Sequence, residues 1–183
     1  MRISILSTHI EISDVLPENS GDIEQLYRDA FPDEDLVPLV KKLLVSGDDV
    51  LSLTATKGGN LVGHAVFTTC GIAVENETSD HRVALLGPVA VLAALQKQGI
   101  GGRMIQEGLE RLTVAGIAQV FVLGDPSYYS RFGFQEDGFI IPPYPLTEQW
   151  RPAWQSKSLQ NDMQVQSGIL TVPVAWKDAS LWS

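Results

Sequence analysis

The hydrophobic pattern is most informative between Val83 and Gly116. The apolar run from Ala84 to Leu95 is rich in Val and Leu and too short to span a membrane, which predicts a strand buried on both faces. After a glycine-rich stretch, apolar residues recur every three or four positions, as on one face of a helix: Met104, Ile105, Leu109, Leu112 and Ala115. The order is therefore buried strand, glycine-rich loop and helix, and Gly116 is expected to end the helix.

Strands and helices are also predicted in the first part of the chain. Residues 2–13 alternate loosely between apolar and polar, which predicts one or two short strands. A first helix is expected to begin with Asp22 as its N-cap and to stop at a proline. A second helix is expected to begin at Asp35, to hold Pro38 in its first turn and to end at Gly47.

An antiparallel pair is predicted next. Val50–Thr56 and Leu61–Ile72 are rich in strand-forming residues, and Lys57–Asn60 between them contains the Gly-Gly pair typical of a tight hairpin. Glu75–His81 reads as a polar loop. These segments form the expected antiparallel half of a sheet.

The second half of the chain completes the predicted sheet. Residues 118–124 form an apolar strand that must run parallel to the first buried strand, because a helix lies between them. A short helix is expected over 125–131, followed by a proline-rich stretch over 141–145. Further strands are expected near 163–166 and 169–176.

Composition narrows the class of protein. With 183 residues, 44% of them hydrophobic, the chain is expected to form a single domain over residues 1–183. A formal net charge of −9 argues against nucleic acid or an anionic membrane as partner, and it favours either cationic ligands such as amines or simply solubility. A single cysteine excludes an internal disulfide, and the N-terminus lacks the continuous apolar stretch of a signal peptide, so a cytoplasmic location is expected.

The glycine-rich loop indicates an anion site. Its free N–H groups and those of the first helical turn converge where the helix dipole is positive. A Walker loop needs Lys followed by Ser or Thr after its last glycine, but here Arg103 follows Gly102. A dinucleotide fingerprint also fails, because Met104 occupies the position of its third glycine.

Three ordered segments carry a family resemblance. Gln96, Gly99 and Gly101 fill a Gln/Arg-x-x-Gly-x-Gly/Ala pattern, Val89–Val91 lies upstream, and Tyr129–Phe134 reads Tyr-x-x-x-Gly-Phe. Together these segments resemble the cofactor-binding core of the GNAT superfamily of N-acetyltransferases. Residues 83–134 form the core of the resemblance.

The resemblance implies a fold and a cofactor. The fold is a mixed α/β sheet with an antiparallel N-terminal half and splayed parallel central strands, flanked by helices, and the acyl-pantetheine arm of acetyl-CoA enters the gap between them. The residues implied in binding comprise the strand backbone and the pyrophosphate loop: Val89, Ala90, Val91, Gln96, Lys97, Gln98, Gly99, Ile100, Gly101 and Gly102. No metal is expected, since the sequence has no cluster of metal ligands.

Catalytic candidates follow from the chemistry of acetyl transfer, which needs oxyanion stabilisation and a proton for the departing thiolate. Backbone N–H groups near Val91 are candidates for the first task, unless they are paired within the sheet. By resemblance Tyr129 is the general acid, with aromatic packing as the alternative and Tyr128 as a rival. Asp125 is the candidate base, although an Asp before Pro is more often a helix cap.

Other reactive side chains receive structural interpretations. His64 on the hairpin strand and His81 are expected to be packed or hydrogen-bonded, because no carboxylate at motif spacing marks them as activated. Cys70 is expected to be a buried small hydrophobe, with an acetyl-cysteine intermediate as the less favoured alternative.

The resemblance predicts transfer of an acetyl group from acetyl-CoA to a primary amine of a small molecule or peptide, by direct attack in a ternary complex. The alternative is a non-catalytic acyl-CoA-binding sensor or interaction module, which the absence of an obvious base keeps open. The expected partners are acetyl-CoA and an amine acceptor, and a homodimer stays open.

Overall fold

The computed structural model describes residues 9–74, 77–78, 81–161 and 167–182, with residues 77–78 described by their backbone alone. Its α-helices are α1 Ser20–Ala30, α2 Val37–Leu44, α3 Ile100–Val114 and α4 Pro126–Tyr129. Its strands are β1 Ile10–Asp14, β2 Val50–Lys57, β3 Asn60–Val74, β4 Glu77–Thr78, β5 Val83–Val91, β6 Gln119–Leu123, β7 Gln135–Glu136, β8 Ile140–Ile141, β9 Trp154–Ser158 and β10 Gly168–Thr171.

These strands join in one open, mixed sheet. Its main order is β1-β2-β3-β5-β6-β9-β7, in which β5 and β6 are parallel and the other neighbours are antiparallel. The far end of β3 also pairs with β4 and β10, and β10 pairs in parallel with β8. The predicted mixed α/β fold, with an antiparallel N-terminal half and a parallel central pair, is confirmed.

Helices cover both faces of the sheet, as the alternation along β3 shows. Gly63 and Phe67 face α3: a Cβ built on Gly63 would meet Met104, and one built on Gly108 would meet the Phe67 ring. His64 faces the opposite side, where its ring contacts Tyr27 of α1. Because neighbouring strand residues point to opposite faces, α1 and α3 lie on opposite sides.

The central parallel strands separate after a short ladder. β6 pairs with Ala84–Leu86 of β5, whereas β5 continues to Val91 along β3. In the β3–β5 register, Phe67 pairs with Leu86 and Ala65 with Val89, so Gly87 and Pro88 together oppose Val66. This bulge bends β5 away from β6 and opens a gap between them. Gly87 has φ +148°, a conformation that glycine adopts readily.

Several sequence predictions are confirmed. The turn Gly58–Gly59 joins β2 to β3 as a tight hairpin, and α3 runs to Val114 with Gly116 just beyond it. Pro38 lies in the first turn of α2, where its missing N–H costs no helical hydrogen bond.

No helix among the described residues is both long enough and apolar enough to cross a membrane.

Predicted boundaries were wrong at several element ends. The first buried strand ends at Val91, since Ala93–Leu95 forms a 3-10 turn. Asp22 lies inside α1, which begins at Ser20, and the N-cap of α2 is Leu36 rather than Asp35. Polar side chains near a helix start signalled the helices correctly, but neither carboxylate supplies a cap.

The C-terminal part of the chain differs most from prediction. β10 covers only Gly168–Thr171, and Val174–Trp176 is a 3-10 turn rather than more strand. The helix predicted over 125–131 divides into α4 and a 3-10 turn over Ser130–Phe132. The expected strand at 163–166 and residues 2–8 lie outside the described residues.

β9 was not predicted at all. Its sequence, Trp-Gln-Ser-Lys-Ser, contains little that favours a strand, yet it pairs along all of β6. Gln155 is buried there and donates to the carbonyl oxygens of Gly124 and Ala153, at 3.0 and 3.3 Å. Pairing and side-chain hydrogen bonds thus outweigh local propensity.

Candidate active site

An open cavity of about 680 Å³ lies between the far end of β5, the start of α3 and α4. Its volume suits a small-molecule site, which in proteins usually spans ~300–1,000 Å³. The lining residues are Val89, Val91, Leu95, Gln96, Lys97, Gly99, Ile100, Gly101, Gly102, Arg103, Gln106, Tyr128, Tyr129, Arg131 and Phe132.

The loop before α3 presents backbone donors to this cavity. Gly99 is the N-cap with φ +82°, a left-handed conformation that favours glycine. The first helical hydrogen bond runs from the Arg103 N–H to the Gly99 carbonyl, at 3.0 Å. The N–H groups of residues 100–102 precede that bond, so they are available to an anion at the positive end of α3.

Among the described residues, every charged side chain that lines the cavity is basic. Lys97, Arg103 and Arg131 line it, in a chain whose net charge is −9. The Arg131 guanidinium stacks over the Tyr128 ring at 4.4 Å and donates through Nε to the Tyr128 carbonyl. Arg103 donates through Nη2 to the carbonyl of Ile10, which ties β1 to α3. The cavity therefore combines positive charge with backbone donors, which suits a phosphate-bearing ligand.

The open edge of β5 supplies a second set of backbone groups. Leu92 donates its N–H to Val62 of β3, at 2.9 Å. Because backbone groups alternate in direction along an antiparallel ladder, the N–H and C=O groups of Val89 and Val91 point away from β3. The Val91 carbonyl accepts a hydrogen bond from Gln96 Nε2 at 3.2 Å. None of the described strands pairs with this part of the β5 edge on the side of β6, so apart from the Gln96 contact the gap offers it to an extended ligand.

Tyr129 closes one side of the gap. Its ring packs edge-on against Phe134 and Tyr128 and lies so close to Gly124 that a Cβ there would overlap it. Burial raises the pKa of Tyr129 well above its ordinary value, and the nearby phenol of Tyr128 adds to this shift. The phenol therefore stays protonated and is able to donate a proton.

Asp125 is placed differently from a general base. Its carboxylate caps α4: Oδ1 accepts hydrogen bonds from both the N–H and the hydroxyl of Ser127, each at 2.8 Å. These hydrogen bonds lower the pKa of Asp125, and the side chain is exposed outside the cavity lining. A carboxylate engaged in this way is a weaker proton acceptor, so its geometry favours the capping interpretation.

The structure brings most of the predicted binding residues together. Of the predicted site residues, Ala90, Gln98 and Asp125 do not line the cavity. The side chain of Ala90 is buried against α1, as strand alternation requires. Residues that the sequence motif did not single out also line it: Leu95, Arg103, Gln106, Arg131 and Phe132. A basic residue beside a glycine loop was the one available signal, and it marked Arg103.

The remaining reactive side chains lie in the core. His64 is fully buried, and burial lowers its pKa to about 3, so its imidazole is neutral. Cys70 is buried, donates to the Thr68 carbonyl, and has its pKa raised to about 12 by burial. A thiol in this state is inert, in line with its expected role as a small hydrophobe. His81 does not line the cavity.

The sequence of this protein matches that of a known enzyme family. The acetyltransferase (GNAT) domain family matches residues 12–136 of this chain. The chain belongs to the GNAT acetyltransferase family, and it is an acyltransferase.

Relatives and solved structures agree with this assignment. The chain is 36% identical over 146 residues to the uncharacterized N-acetyltransferase YjhQ of Escherichia coli K12, covering 77% of this chain and 80% of the relative. The GNAT family N-acetyltransferase YhbS of Escherichia coli, solved in complex with CoA, matches with a TM-score of 0.82 at 26% identity over 94% of each chain. A GNAT family acetyltransferase from Brucella melitensis, solved in complex with acetyl-CoA, matches with a TM-score of 0.73 at 29% identity, covering 93% of this chain and 99% of the other.

Proposed function

We propose that this protein transfers an acetyl group from acetyl-CoA to a primary amine of a small molecule or peptide, by direct attack in a ternary complex. The observation that carries the proposal is the cavity of about 680 Å³ that joins the open edge of β5 to the basic start of α3. Matching structures bound to CoA and acetyl-CoA support the choice of cofactor.

The cofactor is expected to lie along this cavity from end to end. Its pyrophosphate is assigned to the N–H groups of the loop from Gln98 to Gly102, with Lys97 and Arg131 as nearby cations. Its pantetheine arm is assigned to the backbone of Val89–Val91, as a strand added to an open sheet edge. Gln96, which donates a hydrogen bond to the Val91 carbonyl, must then share this acceptor with the pantetheine arm or release it.

The reaction needs few side chains. The neutral amine attacks the thioester carbonyl, the C–N bond forms, and the oxyanion is stabilised by backbone N–H groups of Val89 and Val91. The C–S bond then breaks, and the protonated phenol of Tyr129 supplies a proton to the departing thiolate. The excess proton on the nitrogen leaves to water, and water returns a proton to the phenolate.

Water is the proposed acceptor of the amine's proton, because among the described residues no carboxylate or histidine lines the cavity. Turnover should therefore rise with pH toward the pKa of the acceptor amine itself, without a limb that belongs to Asp125. The acidic balance of the chain favours a small cationic amine as acceptor.

The test incubates the protein with acetyl-CoA and a panel of polyamines, amino acids, aminoglycosides and peptides while free thiol is measured. Because Cys70 is buried and burial raises its pKa, a control mixture without acetyl-CoA should give little thiol signal from the protein itself. A mixture without amine gives the rate of simple thioester hydrolysis.

An amine-dependent release of thiol, with the acetylated amine detected by mass spectrometry, is the expected result. Tight binding of acetyl-CoA without turnover on any amine would instead support the non-catalytic acyl-CoA sensor. Family membership among N-acetyltransferases does not favour that alternative.

A further inference from the structure

A buried chain of hydrogen bonds leads from the interior of the sheet to the bulge of β5. It consists of Ser52 on β2, His64 on β3 and Tyr27 on α1, and it ends at the carbonyl of Pro88. Ser52 Oγ lies 2.7 Å from His64 Nε2, and His64 Nδ1 lies 3.0 Å from the Tyr27 hydroxyl. The Tyr27 hydroxyl donates to the Pro88 carbonyl at 3.2 Å.

The protons in this chain have a definite order. Tyr27 has one hydroxyl proton, and the Pro88 carbonyl can only accept. The hydroxyl proton therefore points to Pro88, which leaves His64 Nδ1–H to donate to the Tyr27 oxygen and Nε2 to accept from Ser52. Burial, which lowers the pKa of His64 to about 3, keeps the neutral tautomer that this order requires.

The side chains that form these hydrogen bonds are held rigidly. His64 and Tyr27 are 0% and 1% exposed, and their rings meet edge-on at 5.6 Å. Tyr27 also stacks on Phe31, with ring centroids 5.9 Å apart. A buried polar group without a hydrogen-bond partner destabilises a fold, and here the polar groups of all three side chains have partners.

The chain of hydrogen bonds ends at the bulge of β5, where the regular pairing with β3 is interrupted. Pro88 has no N–H to give to β3, and it shares with Gly87 the place opposite Val66. The Pro88 carbonyl and the Val89 N–H belong to one planar peptide unit and point in opposite directions. Holding the carbonyl toward Tyr27 therefore aims the Val89 N–H into the gap.

We propose that Tyr27 is a positioning residue for acetyl transfer, which fixes the Pro88–Val89 peptide through the Ser52–His64–Tyr27 chain so that the Val89 N–H meets the thioester carbonyl. This role rests on the proposed function of the gap as the acyl site. None of the three side chains lines the cavity, so the proposed effect is on orientation alone.

The test compares wild type with Tyr27→Phe, which keeps the buried ring and removes the hydroxyl. The protein is loaded with [1-13C]acetyl-CoA, and the thioester carbonyl is followed by isotope-edited infrared spectroscopy. Tyr144→Phe is the control, because Tyr144 packs against Trp182 in the C-terminal aromatic cluster, away from the gap.

In wild type the carbonyl band should shift to lower frequency on binding, and Tyr27→Phe should lose most of that shift while its affinity for CoA without the acetyl group is unchanged. Turnover should fall about tenfold, less than the ~10²–10³-fold cost of removing an oxyanion donor outright. Tyr144→Phe should behave as wild type.

Two outcomes would overturn the proposal while leaving acetyl transfer from acetyl-CoA itself intact. One is a Tyr27→Phe protein that binds acetyl-CoA with an unchanged carbonyl band and rate, and the other is a wild-type complex with no carbonyl shift at all. Failure of wild type to bind acetyl-CoA would contradict the proposed function itself. If Tyr27→Phe does not fold, Ser52→Ala removes the first donor of the chain, and it should weaken the carbonyl shift in the same direction.

Discussion

The hydroxyl of Tyr128 occupies the space that a side chain at Gly101 would need: a Cβ built on Gly101 lies 2.7 Å from it. The next nearest side-chain atom outside Tyr128 is Val91 Cγ2, at an ordinary contact distance of 3.6 Å. Glycine at position 101 is therefore needed to make room for the Tyr128 hydroxyl, even when no ligand is bound.

This relationship gives a clean test of the cofactor loop. In a Tyr128→Phe background the clashing hydroxyl is gone, so a further Gly101→Ala change should fold normally and yet obstruct the backbone donors of α3. We expect CoA affinity to fall about 10–100-fold relative to Tyr128→Phe alone, since hydrogen bonds to charged groups contribute ~1.5–3 kcal/mol. Calorimetric titration with CoA measures the difference, and equal affinities in the two proteins would remove the pyrophosphate from this loop.

Tyr129→Phe tests the proposed general acid. The change removes the proton donor and keeps the ring that packs on Phe134 and Gly124, so turnover should fall ~10²–10⁴-fold while CoA affinity stays the same. Because burial raises the pKa of Tyr129, wild type should show no loss of activity from this group as pH rises to 9. Steady-state rates and CoA titration measure turnover and affinity. Loss of both turnover and CoA affinity would indicate a structural role for Tyr129, and loss of neither would assign the proton to Tyr128 or water.

Two helical glycines should respond oppositely to alanine. Gly108 of α3 lies on the Phe67 ring, with no room for a Cβ, so Gly108→Ala should lower the free energy of unfolding by ~1–3 kcal/mol through overpacking. Gly21 of α1 has open space around it, so Gly21→Ala should raise stability by up to ~1 kcal/mol through helix propensity. Urea unfolding of the two variants beside wild type measures both changes, and a Gly108→Ala protein at least as stable as wild type would contradict the packing of α3 on β3.

His64 should make the protein sensitive to acid. The unfolded chain takes up a proton on this residue near pH 6.5, whereas the folded protein resists until about pH 3, so lowering the pH favours unfolding. The stability that the protein gains from keeping His64 neutral is fully present above pH 6.5. It should be lost as the pH falls toward 3, at up to ~1.4 kcal/mol per pH unit.

His64→Gln is the matched comparison, because glutamine keeps one donor and one acceptor but does not titrate. Unfolding by urea at several pH values between 4 and 7 should show a shallower pH dependence in the variant than in wild type. Parallel curves would mean that His64 has the same pKa in the folded and the unfolded protein.

The sequence predicted the elements whose residues all agree with one another. The α3 helix combines a regular apolar face with Gly116 at its end, and the β2–β3 hairpin combines strand-forming residues with a Gly-Gly turn. The glycine motif also located the loop of the cavity correctly. In each case local preference and tertiary position favour the same structure.

Prediction failed where distant partners decide the structure. β9 exists because β6 has a free edge to fill and Gln155 finds acceptors at Gly124 and Ala153, and its own residues carry no such signal. The Ser52–His64–Tyr27 chain joins residues 37 positions apart in sequence at its second link. His64 was correctly predicted to be packed or hydrogen-bonded, but only the fold shows that its partners are Ser52 and Tyr27.

The bulge at Gly87 and Pro88 makes the opening of this sheet depend on one surplus residue. β3 offers Val66 alone where β5 supplies two residues, and the registers on either side are regular. A chain shorter by Gly87 would keep every β3 partner it now has, from Val83 to Val91, yet it would lose the bend that separates β5 from β6. The gap that we assign to the acyl group therefore depends on a single residue, Gly87.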